Sequence, residues 1–282
     1  MKSQDKADVG IIIPFYKGKE WLKEALQSVS VQTYKHWTIY LINDGSPEDI
    51  TDLSDLYSDM NLVIHNQENK GAAFARNRGI SIAKEKYIAF LDADDLWEPT
   101  KLEEQISFLE QDEKYKWCHT MYTKVNENNT LMMPTHKDFL CGDVFIKSLT
   151  RCTIATPAVL IERSILSDDK LRFEENLNAG EDTLFWLRLL RKYPIGLINK
   201  PLVRVRMRGS NAASSIAAQI EGREAIYNYI KNENLKGSYV GILRAIYGYV
   251  HAISMMRINS GLINKVLYLP AWVGFKLLYK II

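Results

Sequence analysis

The N-terminal part of the chain alternates short apolar runs with amphipathic segments. Residues 9–14 (VGIIIP) form a continuous apolar run rich in β-branched side chains, which is typical of a strand buried on both faces. From residue 19 to residue 32, apolar positions recur at helical spacing. The same criteria predict strands at 37–42, 62–64 and 87–91, and helices at 71–84 and 100–110. Alternating strands and helices predict an α/β fold with a mostly parallel sheet flanked by helices.

The rest of the chain has a weaker pattern. Residues 123–151 are polar and poor in periodicity, with a turn predicted at 126–130. A strand is predicted at 156–161, followed by an amphipathic helix over 183–192 that Pro194 ends. Thr100 and Glu103 match the capping-box pattern, which predicts a side-chain cap at the start of the 100–110 helix.

Carboxylates follow directly after two of the predicted strands. Asp44 comes after the 37–42 strand, and Asp92, Asp94 and Asp95 come after the 87–91 strand. In a parallel sheet, ligands bind outside the carboxyl ends of the strands, so these side chains are expected at a binding site. Because Mg²⁺ and Mn²⁺ take carboxylate and phosphate oxygens, Asp92 and Asp94 suit a metal–diphosphate complex. Taken alone, they equally fit an Asp-rich turn before the next helix.

Two carboxylates each allow a structural and a functional interpretation. Asp44 begins a turn sequence, and its side chain is also able to accept a hydrogen bond from a nucleobase imide N–H. Asp182 precedes the 183–192 helix, where the helix dipole stabilises a negative charge. It is either a helix cap or a general base for an acceptor hydroxyl. The residues alone leave both questions open.

Composition and charge narrow the class of protein. The 282 residues are 46% hydrophobic and 25% charged, as in ordinary globular proteins, and the net charge of +2 gives no sign of a nucleic-acid partner. Cys118, Cys141 and Cys152 are odd in number and lack metal-ligand spacing, which predicts reduced thiols in a cytosolic protein. The polar N-terminus has no secretory apolar region, so no signal peptide is expected.

The C-terminal segment combines basic and apolar residues. No acidic residue follows Glu233, and residues 265–282 (KVLYLPAWVGFKLLYKII) are basic, aromatic and strongly apolar. Lysines and Pro270 interrupt the apolar runs before they reach the ~20 residues that span a bilayer. Together with Trp272 and Tyr279, this pattern predicts peripheral contact with an anionic membrane. The alternative is a helix that packs on the catalytic domain or on a partner subunit.

Seven segments, in order along the chain, resemble the motifs of the GT-A fold glycosyltransferases of family 2. FLDADDLW at 90–97 resembles the F-L-D-x-D-D segment that carries the family's metal motif, and GED at 180–182 resembles its catalytic-base motif. The other five are VGIIIPFY at 9–16, SVSVQT at 28–33, INDGS at 42–46, NKGAAFARNRGI at 69–80 and the stretch 205–214. The chain is therefore identified as a member of this family of inverting enzymes, of the bacterial surface-polysaccharide type.

The resemblance implies that the chain binds a nucleotide-sugar donor, with UDP favoured over dTDP and GDP. Pro14 and Tyr16 would line the nucleotide pocket. Asp44 would contact the nucleobase, and Arg76 would assist at the nucleotide.

The resemblance also implies a metal-dependent reaction. Asp92 would lie near the ribose, and Asp94 would hold the Mn²⁺ or Mg²⁺ ion that bridges the diphosphate. Arg206 or Arg208 would add a positive contact to the diphosphate. Asp182 would be the catalytic base, which takes the proton from the acceptor hydroxyl.

The sequence departs from the family pattern at three positions. Asn43 stands where the family often has a first Asp, and Lys17 replaces a common Asn. Arg208 stands where a His frequently occurs. An arginine does not bind a metal ion but is able to clamp a diphosphate through two parallel hydrogen bonds.

The resemblance also implies a division of the chain and a biological setting. Residues 1–112 would be the nucleotide-sugar-binding half, 113–215 the acceptor-binding and catalytic-base half of the same domain, and 216–282 a helical extension. The acceptor would be a hydroxyl on a growing, lipid-linked bacterial surface glycan. The enzyme would be cytoplasmic, peripheral at the inner face of the cytoplasmic membrane.

Two other functions compete with this one. A nucleotidyltransferase of related fold would be expected to carry a Gly-rich basic phosphate loop after the first strand, and residues 14–19 (PFYKGK) do not form one. A non-catalytic nucleotide- or sugar-binding scaffold would have no need of Asp182 as a base. The fold alone does not separate these functions.

Overall fold

The computed structural model of the chain describes residues 9–133, 139–177, 179–208, 216–233, 235, 240–255 and 269–278. The strands are β1 (Val9–Phe15), β2 (Trp37–Asp44), β3 (Leu62–Gln67), β4 (Tyr87–Phe90), β5 (Leu96–Trp97), β6 (Trp117–Val125), β7 (Leu131–Met133), β8 (Val159–Glu162) and β9 (Gly196–Arg206). The helices are α1 (Lys19–Ser30), α2 (Leu53–Leu56), α3 (Ala72–Ile82), α4 (Lys101–Gln111), α5 (Phe145–Ser148), α6 (Glu181–Leu190), α7 (Ile216–Asn232), α8 (Val240–Met255) and α9 (269–278).

All of these strands belong to one sheet, in the order β3-β2-β1-β4-β8-β6-β9-β5, with β7 paired to β6. The four strands from β3 to β4 are parallel to one another. Beyond β4 the sheet is mixed, because β8 runs antiparallel to β4 and β6, and β5 runs antiparallel to β9. The α/β class is confirmed, and the mostly parallel pairing that the sequence predicts describes the N-terminal half of the sheet.

Close packing between helix and sheet holds the parallel half together. The inward residues of β1, with those of α1, are fully buried in one core. On the other side of β1, α3 approaches so closely that a Cβ on Gly79 would lie 2.4 Å from Ile12 Cγ2. A side chain at position 79 would therefore push α3 away from the strand that leads into Tyr16.

Most of the predicted elements are present, with small shifts in their ends. β2 and β3 extend further than predicted, so that both Asp44 and Gln67 are strand residues. Residues 156–158 form a turn of 3-10 helix, and the strand predicted there starts at Val159. The predicted turn at 126–130 lies between β6 and β7. The strands β5, β6, β7 and β9 and the short helices α2 and α5 have no counterpart in the prediction.

The predicted capping box at α4 is wrong. Thr100 occupies the N-cap position, but its side chain makes no capping hydrogen bond. The Glu103 carboxylate instead accepts a hydrogen bond from the hydroxyl of Thr33, at 2.6 Å. A partner from a distant part of the chain has therefore replaced the local contact.

The chain divides into two compact units. The first comprises Met1–Gly142, Ile154–Phe173 and Tyr193–Arg208, and contains the sheet with α1 to α4. The second comprises Asp143–Thr153, Glu174–Lys192 and Gly209–Ile282, and contains α5 to α9. The boundaries of these two units differ from the predicted boundaries at residues 112 and 215. The functional assignment of the three predicted parts stays a prediction.

In the second unit, α7, α8 and α9 bury a shared apolar core. Tyr247 of α8 and Phe275 of α9 lie in this core with ring centroids 4.7 Å apart. Arg223 of α7 places its guanidinium 4.4 Å from the Phe275 ring centroid. The described part of the C-terminal segment therefore packs on protein along one side. Tyr279 and motif residues 209–214 lie outside the described residues.

The other side of α9 carries apolar side chains in contact with solvent. Lys276 Nζ lies 3.6 Å from the Trp272 ring centroid. Within the described residues, no helix is long and apolar enough to cross a membrane. The exposed apolar residues of this face are Leu269, Trp272, Val273 and Leu277, which are 42–58% exposed.

A lysine is buried in the core of the first unit, and its amine makes no ion pair with any carboxylate of the described residues. Lys101 is completely buried, donates a hydrogen bond from Nζ to Gln105 Oε1 at 2.7 Å, and lies 3.9 Å from the Trp97 ring centroid. Because burial disfavours the charged amine, it lowers the pKa of Lys101 from 10.5 to about 7.

We expect Lys101→Met to flatten the pH dependence of stability. Between pH 7 and 10.5 the unfolded chain binds the proton of Lys101 more tightly than the folded chain does. The wild-type free energy of unfolding should therefore rise with pH in this window, by up to about 1.4 kcal/mol per pH unit from this group. The free energy of unfolding of the variant, measured with urea, should not show this rise between pH 7 and 10.5. The exposed Lys84→Met is the control, and an identical slope in both variants would contradict the assignment.

Candidate active site

The carboxyl ends of β1, β2 and β4 meet at one edge of the sheet. In the parallel register, Phe15 pairs with Asn43 and Ile12 pairs with Phe90. Leu91 continues this register by donating its N–H to the carbonyl of Ile12 at 3.0 Å. Tyr16 and Asp92 follow β1 and β4, and Asp44 ends β2, so the three residues lie at the carboxyl ends of neighbouring strands.

Asp44 is buried and fixes the loop that precedes α3. Its Oδ1 accepts hydrogen bonds from Gln67 Nε2 at 2.7 Å and from the N–H of Lys70 at 2.9 Å. Its Oδ2 accepts the N–H of Gly71 at 2.8 Å. The side chain is only 4% exposed, so its first effect is to position residues 67–71.

Gln67 lies beside Asp44 and was not among the site residues that the sequence predicted. Its Nε2 is held by Asp44, while its Oε1 is buried and has no hydrogen-bond partner in the part of the chain that the structure describes. A buried acceptor left unpaired costs about 1–3 kcal/mol, so a donor supplied by a ligand would stabilise it. The only local signal was a polar residue near the end of a parallel strand.

The turn from β1 into α1 is fixed by a second carboxylate. Glu48 accepts the N–H groups of Gly18 at 2.9 Å and Lys19 at 2.7 Å, and these bonds lower the pKa of the Glu48 carboxyl. Gly18 has φ 95°, a conformation that favours glycine. Beside this turn, Pro14 is half-buried and the Tyr16 ring is 43% exposed.

Residues 92–95 form a carboxylate turn between β4 and β5. The N–H of Asp95 donates to the carbonyl of Asp92 at 3.0 Å, which closes the turn. The Asp92 carboxylate accepts a hydrogen bond from Arg76 Nη2 at 2.7 Å, and the buried Asp95 accepts the backbone N–H of Arg206 at 2.7 Å. Arg76 is itself buried, with its guanidinium 5.4 Å from the Phe173 ring centroid. The hydrogen bond from the buried Arg76 therefore positions the Asp92 side chain.

The pKa values of two carboxyl groups in this turn, those of Asp94 and Asp95, are raised. Burial, followed by the charge of Asp92, raises the pKa of the Asp94 carboxyl, and Arg208 acts in the opposite direction. Burial, followed by Asp92 and Asp94, raises the pKa of Asp95 well above its usual range. Because negative charge is concentrated here in a partly buried place, an added cation would be stabilised.

The two arginines predicted at the diphosphate have different surroundings. The Arg206 side chain is 1% exposed, and its guanidinium contacts the Glu24 carboxylate at 2.6 Å and the Asp94 carbonyl at 2.8 Å. These contacts favour a structural role for Arg206. The Arg208 side chain is 34% exposed, and its Nε lies 2.7 Å from Asp94 Oδ2. Both guanidinium groups lie over the ring of Trp21, at 5.8 and 5.3 Å.

The donor set at this turn fits a divalent cation only in part. Asp92 Oδ1 and Asp94 Oδ2 each contact an arginine, and carboxylate oxygens are the ligands that Mg²⁺ and Mn²⁺ prefer. The described part of the chain has no group of three or more His, Cys, Asp or Glu residues able to hold a metal ion. The remaining ligands would have to come from a diphosphate and water.

Asp182 belongs to the second unit, whereas the other predicted site residues belong to the first. It lies in the first turn of α6, half-buried, with Oδ1 2.5 Å from the N–H of Thr183. The helix starts after Gly180, which has φ 82°. A Cβ on Gly180 would lie 2.7 Å from Gly222 Cα of α7, so the turn that carries Asp182 packs tightly on that helix.

Comparisons with known proteins show the family to which the chain belongs. The sequence profile described as Glycosyl transferase family 2 matches residues 10–168. An uncharacterised glycosyltransferase of Rickettsia felis is 39% identical over 202 residues, or 71% of this chain and 33% of the relative. The chain thus spans about a third of that relative's length. The UDP-Glc:alpha-D-GlcNAc-diphosphoundecaprenol beta-1,3-glucosyltransferase WfaP of Escherichia coli is 32% identical over 193 residues, or 65% of this chain and 70% of the relative.

Solved structures of similar fold cover nearly the whole chain. Staphylococcus aureus TarS 1-349 in complex with UDP-GlcNAc matches with a TM-score of 0.70 and 19% identity, over 95% of this chain and 80% of that one. The mannosyltransferase PcManGT from Pyrobaculum calidifontis, in complex with GDP-Man and Mn²⁺, matches with a TM-score of 0.60 and 16% identity, over 96% and 74%. At these identities the likeness concerns the fold alone.

Proposed function

Because the chain belongs to glycosyl transferase family 2, we propose that it transfers a sugar from a nucleotide-sugar to an acceptor hydroxyl, with inversion at the anomeric carbon. The observation that carries this proposal is the carboxylate turn at the end of β4. There Asp92 and Asp94 each pair with an arginine, Arg76 and Arg208. One or two carboxylates, completed by phosphate oxygens and water, are a usual ligand set for Mg²⁺, which supports the proposal.

The donor proposed is a UDP-sugar. The exposed ring of Tyr16, beside Pro14, offers a surface on which a base would stack. The buried Gln67 Oε1 would accept the imide N–H of uracil, next to Asp44, and Asp92 would bind the ribose. The Escherichia coli relative is named for UDP-Glc, and the TarS structure contains UDP-GlcNAc, which supports the choice of UDP.

The leaving group proposed is the nucleoside diphosphate, held at Asp94 and Arg208. When bound, Mn²⁺ or Mg²⁺ supplies Lewis-acid neutralisation of the departing diphosphate. The guanidinium of Arg208 would add charge-assisted hydrogen bonds to the same oxygens. Asp182 would accept the proton of the attacking hydroxyl. A single displacement then inverts the anomeric configuration and requires no protein nucleophile.

The acceptor proposed is a lipid-linked glycan at the inner face of the cytoplasmic membrane. The Escherichia coli relative is named for GlcNAc-diphosphoundecaprenol, which supports an acceptor of this class. The exposed apolar face of α9, with Lys276 over Trp272, has the composition of a helix that lies in an anionic membrane interface.

We expect Trp272→Ser combined with Leu277→Ser to weaken binding to anionic vesicles by at least about tenfold, because two exposed apolar side chains leave the interface. The measurement is flotation with phosphatidylglycerol vesicles. Leu56→Ser with Leu131→Ser is the control, since these apolar residues lie outside α9 and are at least as exposed as the two replaced ones, at 59% and 60%. If the two double variants float equally well, α9 does not make the proposed membrane contact.

The function is tested by incubating the purified chain with a panel of UDP-, dTDP- and GDP-sugars, with Mn²⁺ and with EDTA. We expect release of UDP from one donor, with Mn²⁺ and not with EDTA. Release of GDP or dTDP would correct the nucleotide. Release of pyrophosphate would support the nucleotidyltransferase instead, and absence of both turnover and nucleotide binding would support the scaffold.

A further inference from the structure

A cleft of about 530 Å³ lies in the first unit, at the end of β4 opposite to the candidate active site. Two of its lining residues, Lys84 and Lys86, precede β4, whereas the carboxylate turn follows that strand. Because β4 has four residues, about 13 Å of strand separates the two places. The volume of the cleft is in the range of sites that bind small molecules.

The cleft concentrates positive charge. Its lining contains one acidic residue, Glu162, and four basic residues, although the net charge of the whole chain is only +2. The Glu162 carboxylate already has partners, because Oε1 accepts the hydroxyl of Ser164 at 2.6 Å and Oε2 lies 3.2 Å from Lys116 Nζ. A concave surface lined mainly by charges of one sign focuses their field, so an anion would be attracted into the cleft. The basic residues are Lys84, Lys86, Arg163 and Arg172.

Two of these cations form no ion pair with the described residues. The exposed Lys84 ammonium makes neither a hydrogen bond nor an ion pair there. Arg163 donates its backbone N–H to the Lys86 carbonyl and its Nε–H to the Glu85 carbonyl, both at 2.8 Å, and its Nη groups have no partner in the part of the chain that the structure describes. Lys86, in contrast, lies 3.9 Å from the Glu110 carboxylate. Arg163 is therefore held in place while its terminal donors remain available to a ligand.

The rest of the lining gives the cleft a fixed wall and an apolar surface. Arg172 donates from Nη1 to the carbonyl of Leu166 at 2.7 Å, which holds that side of the cleft. Ile80, Ala83 and Leu166 belong to the lining and are buried apolar residues. The cleft thus combines donors for an anion with a surface for an uncharged group attached to it.

We propose that this cleft binds a phosphate group, carried either by a small soluble molecule or by the headgroup of an anionic lipid. The Nη groups of Arg163 and the ammonium of Lys84 would donate charge-assisted hydrogen bonds to the phosphate oxygens. The apolar lining residues would contact the part of the ligand next to the phosphate. This site is additional to the one proposed for the nucleotide-sugar and does not depend on it.

The first probe is glycerol phosphate, titrated with the protein in EDTA and followed by phosphorus nuclear magnetic resonance. We expect Lys84→Gln combined with Arg163→Gln to weaken its binding at least about tenfold, because the donors to the phosphate are lost. Lys35→Gln combined with Lys114→Gln is the matched control, since it removes two positive charges from exposed positions of the same unit outside the cleft. It should bind as the wild type does.

A single variant keeps the test valid if the double variant does not fold. Lys84→Gln removes no side-chain hydrogen bond within the described residues, so it should fold normally and weaken the binding about threefold. Raising the salt concentration should weaken the binding by the wild type, because the cations involved are exposed.

The second probe, flotation with phosphatidylglycerol vesicles, identifies the source of the phosphate. If the cleft variants lose affinity for glycerol phosphate but float as well as the control, the ligand is a soluble phosphorylated molecule. If they float less than the control, the ligand is a lipid headgroup. If cleft and control variants bind both probes equally, or if the wild type binds neither, the proposal is wrong. No sugar transfer is measured in either assay, so the proposed function is tested separately.

Discussion

Replacing Asp182 by asparagine should lower the rate of sugar transfer by about 10²–10⁴-fold, the usual contribution of a general base. Asparagine has nearly the same shape and keeps the hydrogen-bonding position at the start of α6, but it cannot accept the proton of the acceptor hydroxyl. The affinity for UDP should remain unchanged, because the residues proposed to bind the nucleotide belong to the first unit. The measurements are initial rates of transfer and a calorimetric titration with UDP.

The exposed Asp143 of the same unit provides the control, since Asp143→Asn removes the same charge. It should keep wild-type rates. If Asp182→Asn retains more than about a tenth of the rate, Asp182 is not the base, and its role is confined to the first turn of α6.

Replacing Asp94 by asparagine should lower kcat/KM by about 10²–10³-fold, as is typical when one group that stabilises developing charge is removed. Unlike the Asp182 variant, this one should also lose the dependence of UDP binding on Mn²⁺, because the carboxylate that would hold the cation is gone. The measurements are steady-state kinetics and UDP titrations with Mn²⁺ and with EDTA.

The exposed Asp59 of the first unit serves as its control, and Asp59→Asn should leave both quantities unchanged. An Asp94→Asn protein that still binds UDP more tightly with Mn²⁺ than with EDTA would show that the cation is held elsewhere.

The strands that were predicted correctly are recognisable from their own residues alone. β1, β2 and β4 lie in the parallel part of the sheet, so their residues are continuously apolar and visible in a short window. β9 contains Lys200 and Pro201, and its pairing with β6 is irregular at Thr120 and Met121. Such a strand forms because it pairs with strands far away along the chain, and a local sequence pattern does not contain this information.

Prediction of the candidate site from the sequence is limited in the same way. The positions of Asp44 and Asp92 at the carboxyl ends of their strands followed from the order of strands and helices. Asp44 accepts hydrogen bonds from residues 67–71, and Arg206 pairs with the Glu24 carboxylate. These contacts join segments that are distant in the sequence, so a local pattern did not predict them. The Asp94–Arg208 pair is of the same kind. The sequence indicated which residues carry charge, and only the structure indicates how the charges are paired.

The most direct test of the central claim is the anomeric configuration of the product. The purified chain would be incubated with the UDP-sugar selected by the donor panel, Mn²⁺ and a GlcNAc-diphospholipid acceptor, and the new linkage would be examined by proton nuclear magnetic resonance. The account predicts a product whose configuration at the transferred C1 is opposite to that of the donor. A product with the donor's configuration would contradict it, because retention requires a second displacement or a different mechanism that Asp182 as a general base does not provide.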